Sequence, residues 1–296
     1  MKKLFELGCA VKKDEPLEKY SSFKIGGKAS YVVETVNKKA LRFLLEYIAA
    51  EKQNFFVIGG GTNVLFSDEG FKGIIIKLTG AFEDMYLHSG LAYCGAGVNM
   101  ATAVQMLAEN SYRGLEFMSG IPGSIGGAVY GNAGTKDRWI SESVHEIEVM
   151  DYSGVVKTLP AENIVFYYRK SGLSRYIILS VKFKITKGEK SEIAKSISSV
   201  IAEKKASQPL MFPNVGCIFR NPQEGVSAGK LIDEAGMKGI TEGGAKISEH
   251  HANFIVNAGN ARSLDVLKLI EKVRATVKEK SGINLMPEIK VVPSGR

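Results

Sequence analysis

Apolar positions recur at helical spacing over residues 38–52, where Leu41, Leu44, Leu45 and Ile48 share one face. A short β-type run at 55–58 follows and breaks into Gly59-Gly60-Gly61-Thr62-Asn63; residues 73–78 (GIIIKL) read as a second buried strand. Residues 99–110 predict a helix with Asn99 as its cap. The pattern over 144–159 predicts a hairpin turning at Ser153-Gly154, and 176–185 a further strand with partial alternation. A boundary falls near 186–190 (TKGEK), before a helix over 191–205 and a Pro-containing connector, SQPLMFPNVG. The final third predicts a strand at 217–219, a helix at 228–235 and a strand at 254–256. A helix over 264–280 follows, capped by Ser263 and stopped by Gly282, with Val266, Ile270, Val273 and Val277 on one face. LMPEIKVV (285–292) is a last strand that can return to either domain.

One stretch departs from these patterns. GLEFMSGIPGSIGGAVYGNAG, residues 114–134, holds seven glycines, and Glu116 is its only charged residue. Glycine loses the most conformational entropy on folding, so such density implies tight bending or close approach of backbone to something. Two readings fit equally: a run of tight turns, or a loop whose backbone N–H groups receive phosphate oxygens. The familiar phosphate templates fail. After Gly61 the chain reads TNVLFSDEG, which is no helix, and Gly95-Ala96-Gly97 has Met100 where a dinucleotide fingerprint needs its third glycine. GVSAGK (225–230) is one residue short of a P-loop, and Ser124 has Pro122 where a nucleophile elbow needs glycine.

Length and composition narrow the picture. At 296 residues, two or three domains are expected. The start lacks the apolar core of a secretion signal, and no apolar run of about 18 residues is present, so a cytoplasmic protein with no membrane partner is expected. Three cysteines (Cys9, Cys94, Cys217) form no even framework and no CxxC, consistent with a reducing compartment. The net charge of +8 is spread in pairs such as Lys38-Lys39, without a basic run interleaved with aromatics. That fits a solvated basic surface first, an anionic small ligand next, and nucleic acid last. The histidines make no metal-ligand spacing, and no metal is expected.

Seven segments, taken together and in order, resemble the UDP-N-acetylenolpyruvoylglucosamine reductases. They are SSFKIGG (21–27), VIGGGTNVLFSD (57–68), the glycine stretch 114–134, YYRKSG (167–172), GCIFRNP (216–222), AGKLIDEAGMKG (228–239) and LMPEI (285–289). The resemblance implies an α+β fold: a two-subdomain FAD-binding fold of the vanillyl-alcohol oxidase type plus a smaller α/β substrate-binding domain. The expected divisions are 1–80 and 81–188 for the FAD-binding subdomains and 189–282 for the substrate domain. Residues 283–296 would be a C-terminal strand carrying Glu288 back to the FAD-binding region. It also implies noncovalent FAD, NADPH as reductant, UDP-N-acetylglucosamine enolpyruvate as substrate and a monomeric enzyme.

Its chemistry can be set against the residues. Hydride addition to an enolpyruvyl ether leaves enolate-like charge beside the substrate carboxylate, which a fixed bidentate arginine suits. Arg169 matches the family's catalytic arginine and Glu288 its catalytic glutamate. Cys217 stands where many members place a serine as proton donor. A thiol, with an ordinary pKa of about 8.5, is a better acid than an alcohol and is mostly protonated at neutral pH. For the cofactor, the resemblance implicates Lys24, Ile25 and Gly26; Gly59, Gly60, Gly61, Thr62 and Asn63; and Gly120, Pro122, Gly123, Ser124, Gly126, Gly127, Ala128 and Asn132. For the nucleotide sugar it implicates Tyr168, Lys205, Asn221 and His251. Only seven residues separate Arg169 from Ile177, where the longer branch of the family inserts a tyrosine-bearing loop, so the chain resembles the shorter second type. Two other readings stay open from the residues: a flavin oxidoreductase of the same superfamily acting on another substrate, and a non-catalytic nucleotide-sugar or nucleic-acid binder.

Overall fold

A computed structural model describes residues 1–295, which separate into two compact units, each discontinuous in the chain. The first comprises Met1–Lys13, Tyr31–Gly60 and Gly73–Glu203; the second comprises Asp14–Ser30, Gly61–Lys72 and the chain from Lys204 onward. This division differs from the expected one. Residues 14–30 and 61–72, placed in the first FAD-binding subdomain by the sequence, fold with the C-terminal third.

The first unit is built on a five-stranded antiparallel sheet in the order Val156–Pro160, Val144–Asp151, Tyr176–Lys184, Leu91–Gly95, Met85–His88. The expected hairpin is present, and Asp151 sets its turn by accepting from Ser153 N–H and Val155 N–H, each at 3.0 Å. The edge hairpin Met85–His88/Leu91–Gly95 escaped the sequence reading, although Ser89 (φ 49°) and Gly90 (φ 74°) form the left-handed pair that hairpin turns favour. A four-stranded sheet runs Ala10–Pro16, Lys28–Thr35, Phe71–Leu78, Phe55–Ile58, its last pair parallel. The helix Lys38–Ala50 begins where predicted, with Asn37 Oδ1 accepting from Ala40 N–H at 2.9 Å. Its buried Leu41, Leu44, Leu45 and Ile48 join Ile74, Ile76, Ala92, Ile147 and Val181 in one core.

The second unit holds an antiparallel sheet in the order Asn214–Cys217, Phe254–Asn257, Ala245–Ile247, Thr241–Glu242. Val266, Leu269, Ile270, Val273 and Val277 of the helix Ser263–Ser281 are buried in a core with Val215, Ile247, Ile255 and Leu285. Gly282 ends that helix at φ 72°, as its position predicted. Two expectations are corrected here. The strand expected at 217–219 lies at Asn214–Cys217, because Gly216 at φ 79° breaks the ladder with a bulge. Ser263 is the first helical residue rather than the cap. Arg262 stands at the cap position, and Asp68 supplies the acceptors, its carboxylate accepting from Ser263 N–H (2.8 Å), Ser263 Oγ (2.8 Å) and Leu264 N–H (3.4 Å). The strand Lys290–Val292 pairs in parallel with Val64–Phe66.

Because Asp68 satisfies helix donors and a buried hydroxyl from a distant segment, Asp68→Ala is expected to destabilise the protein by about 1–3 kcal/mol. Asp68→Asn, which keeps one acceptor, should fall between. Urea unfolding of the three proteins checks the order.

Candidate functional site

In the first unit, the glycine segments answer to each other. A Cβ on Gly60 would lie 2.6 Å from Gly123 Cα, and one on Gly59 would lie 2.3 Å from Ser124 Oγ. The loop after the strand Phe55–Ile58 and the loop before the short helix Ile125–Tyr130 therefore touch backbone to backbone. That helix, hidden in the glycine stretch, is capped by Ser124, whose Oγ accepts from Gly127 N–H at 3.3 Å. Gly126 packs on Ala96, where its added Cβ would approach the Ala96 Cβ to 2.8 Å. The glycines permit close chain packing, and among the described residues the N–H groups of Gly60, Gly120, Gly123 and Ser124 donate to no acceptor within the chain. Gly59, Gly60, Gly120 and Pro122 are exposed, Ala128 is half-buried, and the surface they form suits an anionic or planar ligand.

The end of the same stretch holds the hairpin that carries Arg169. The strands Phe166–Tyr167 and Lys170–Ser171 form a tight hairpin with Tyr168 and Arg169 at its tip. The buried Asn132 holds one strand, its Nδ2 donating to the Tyr167 carbonyl at 3.0 Å and its Oδ1 accepting from Ser141 N–H at 3.3 Å. Ser171 Oγ holds the other by donating to the Tyr130 carbonyl at 2.7 Å. Arg169 adopts φ 56°, a left-handed conformation that costs a residue with Cβ about 1 kcal/mol or more. Its Nη1 donates to the Gly134 carbonyl at 3.1 Å, and its guanidinium carbon lies 5.2 Å from the Trp139 ring centroid and 5.6 Å from that of Tyr168. Trp139 and Tyr168 meet edge to face at 5.4 Å. Sequence reasoning missed Trp139; the available signal was its status as the chain's single tryptophan, set in a loop after the glycine stretch.

In the second unit, three other candidate segments are joined. Asn63 Nδ2 donates to the Glu288 carbonyl at 3.4 Å, and Lys290 N–H donates to the Asn63 carbonyl at 3.0 Å. Glu288 N–H donates in turn to the Ile218 carbonyl at 2.7 Å, one residue past Cys217. Cys217 follows the Gly216 bulge, where Gly216 N–H donates to Asn214 Oδ1 at 3.0 Å. Of the three cysteines, Cys217 alone is half-buried. Burial pushes the Cys94 thiol up to about 12 and raises that of Cys9 as well, which leaves both as core residues.

The remaining candidates divide. Gly61 (φ 64°) and Gly26 are glycines for internal reasons: an added Cβ would lie 1.8 Å from the Tyr20 carbonyl oxygen and 2.8 Å from Phe66 Cβ respectively. Ile25 is core, whereas Lys24 is exposed at φ 57° and Thr62 is half-buried. Lys205 is exposed in the last turn of the helix Lys190–Ser207, and Asn221 Oδ1 accepts from Ala228 N–H at 3.0 Å. His251 is half-buried; its Nδ1 accepts from Asn253 N–H at 3.2 Å, and burial lowers its pKa, so the ring is neutral at pH 7 with its proton on Nε2. Among the described residues no group of three or more His, Cys, Asp or Glu could hold a metal, and no helix is long and apolar enough to cross a membrane.

Comparison with known proteins gives this arrangement its class. Residues 29–160 match the FAD binding domain family, which makes the first unit's glycine loops part of a flavoprotein. Residues 208–292 match the C-terminal domain of UDP-N-acetylenolpyruvoylglucosamine reductase. Over 286 residues the chain is 38% identical to the UDP-N-acetylenolpyruvoylglucosamine reductase of Chlamydia trachomatis serovar L2, covering 96% of this chain and 97% of that one. The reductase of Caldanaerobacter subterraneus subsp. tengcongensis is 38% identical over 281 residues, with coverage of 94% and 92%. The crystal structure of the Thermus caldophilus enzyme superimposes with a TM-score of 0.85 at 34% identity, covering 96% of this chain and all of that one. The chain belongs to the UDP-N-acetylenolpyruvoylglucosamine reductase family.

Gly60→Ala is expected to force the two glycine loops apart, at a cost of about 1–3 kcal/mol. Flavin content per protein, read from visible absorbance after purification, should fall well below that of the parent. Full retention of flavin would show that the contact does not shape the cofactor surface.

Proposed function

We propose that this protein reduces UDP-N-acetylglucosamine enolpyruvate to UDP-N-acetylmuramate for peptidoglycan precursor synthesis, acting as a cytoplasmic monomer with NADPH as reductant. The observation that carries the reading is the hydrogen-bonded joining of the Cys217 and Glu288 segments, in a chain that aligns with the reductase family over nearly its whole length. FAD, when bound, supplies a hydride carrier between NADPH and the enolpyruvyl double bond.

The chain's own residues account for the rest. The backbone N–H groups of Gly60, Gly120, Gly123 and Ser124 suit the cofactor's pyrophosphate, and Gly59, Pro122, Gly126, Gly127 and Ala128 let chain and cofactor approach closely. Thr62, Asn63 and Lys24 add polar contacts, while Ile25, Gly26, Gly61 and Asn132 shape the loops that present them. Hydride arriving at one carbon of the double bond pushes charge toward the substrate carboxylate. Arg169 holds that carboxylate; its bracing by the Gly134 carbonyl and the two aromatic rings supports this reading, since a fixed guanidinium needs little reorganisation as the charge shifts. Glu288 orients and polarises the same group. The Cys217 Sγ–H gives its proton to the adjacent carbon, and solvent restores it. Lys205 meets the diphosphate as an exposed cation. Tyr168, Asn221 and the neutral His251 contribute hydrogen bonds to the sugar nucleotide.

Two outcomes follow. In anaerobic stopped-flow measurements, Cys217→Ala should leave NADPH-driven flavin reduction intact and abolish reoxidation by the enolpyruvyl substrate; unchanged turnover would remove Cys217 from the mechanism. Arg169→Lys, which keeps the charge but loses the fork, should lower kcat by about 100-fold. Equal kcat with a raised KM would instead assign Arg169 to binding alone.

A further inference from the structure

The ladder between Asn214–Cys217 and Phe254–Asn257 ends at the pair Cys217–Phe254. Beyond it, a side chain takes over the work of a strand. Asn253, only 4% exposed, receives Phe219 N–H on Oδ1 at 2.9 Å and returns Nδ2 to the Phe219 carbonyl at 2.8 Å. Its own carbonyl accepts Ile218 N–H at 2.8 Å. On the opposite edge the same segment is gripped by the chain that carries Glu288: Glu288 N–H donates to the Ile218 carbonyl at 2.7 Å, and Arg220 N–H donates to the Met286 carbonyl at 3.0 Å. Residues 218–220 are thus clamped from both sides immediately after Cys217. Ser248 Oγ fixes the turn before Asn253 by accepting from His250 N–H at 3.1 Å and His251 N–H at 3.3 Å.

We propose that Asn253 is a positioning residue for the reduction: its paired amide sets where Cys217 stands relative to Glu288. The inference rests on the functional reading above. Backbone pairing with this strand ends at the Asn253 carbonyl, which takes Ile218 N–H, and at Phe219 the Asn253 side chain carries it on. A buried primary amide supplies one donor and one acceptor at the spacing of a peptide unit, so it restores the lost pairing without adding a residue. Asn253 touches no reacting atom. Its side chain acts through Phe219 on the placement of the thiol, and misplacement of about 1 Å can cost a factor of about 100 in rate.

The test uses flavin-loaded Asn253→Ala and Asn253→Asp; the aspartate keeps the acceptor but cannot donate to the Phe219 carbonyl. NADPH-driven flavin reduction is expected to match the parent, while substrate-driven reoxidation slows by about 10- to 100-fold. Iodoacetamide labelling, resolved peptide by peptide, gives a readout independent of turnover. The labelling rate of Cys217 should change while the buried Cys9 and Cys94 stay protected. Parental reoxidation or unchanged Cys217 labelling in folded Asn253→Ala would overturn the proposal. So would equal slowing of both half-reactions with Cys9 and Cys94 labelled alongside Cys217, since that marks general loosening. If the parent itself is not reoxidised by UDP-N-acetylglucosamine enolpyruvate, the functional reading fails instead, and the labelling comparison still decides whether Asn253 places the thiol.

Discussion

Two stretches of backbone can lie in van der Waals contact only where side chains are missing, and the first unit depends on one such contact. Gly59 and Gly60 press against Gly123 and Ser124 so closely that no Cβ fits between them. Beside the contact lie backbone N–H groups that find no acceptor among the described residues. The contact also fixes the start of the helix Ile125–Tyr130, whose far end holds the Arg169 hairpin through the Tyr130 carbonyl. The glycine loops and the Arg169 hairpin are therefore parts of one local construction, and the density of glycine is its physical requirement.

The second unit solves a different problem with polar side chains. Its β-ladder is interrupted by a bulge that presents Cys217, and its long helix starts on a carboxylate from far along the chain. In both places a buried or half-buried amide or carboxylate stands in for backbone pairing that the topology cannot provide. Each substitution keeps donors and acceptors matched, which is what allows irregular backbone beside Cys217.

Legibility in the sequence followed the range of the physics. Helices with strong periodicity and local caps, such as Lys38–Ala50 and Met100–Glu109, were readable because a few neighbouring residues determine them. Arg169, Cys217 and Glu288 were singled out only by resemblance, since nothing in a single arginine, cysteine or glutamate announces a site. What escaped was non-local. The cap from Asp68 looked like a cap from Ser263 because the hydroxyl was nearby in sequence and the carboxylate was not. The bulge at Gly216 moved a strand because one left-handed glycine outweighed an apolar run. Trp139 gave no periodic signal, and its place beside Arg169 follows from the hairpin's fold rather than from spacing.

The parallel pairing of Val64–Phe66 with Lys290–Val292 bears on how the molecule is made. On the ribosome, residues 64–66 emerge long before residues 290–292 exist, so this strand waits with unpaired backbone while most of the chain is synthesised. Leu65 and Phe66, fully buried in the finished protein, are exposed for the same interval. An unpaired apolar edge of this kind recruits other strands, so this segment is an aggregation-prone edge of the nascent second unit until the C-terminal strand arrives.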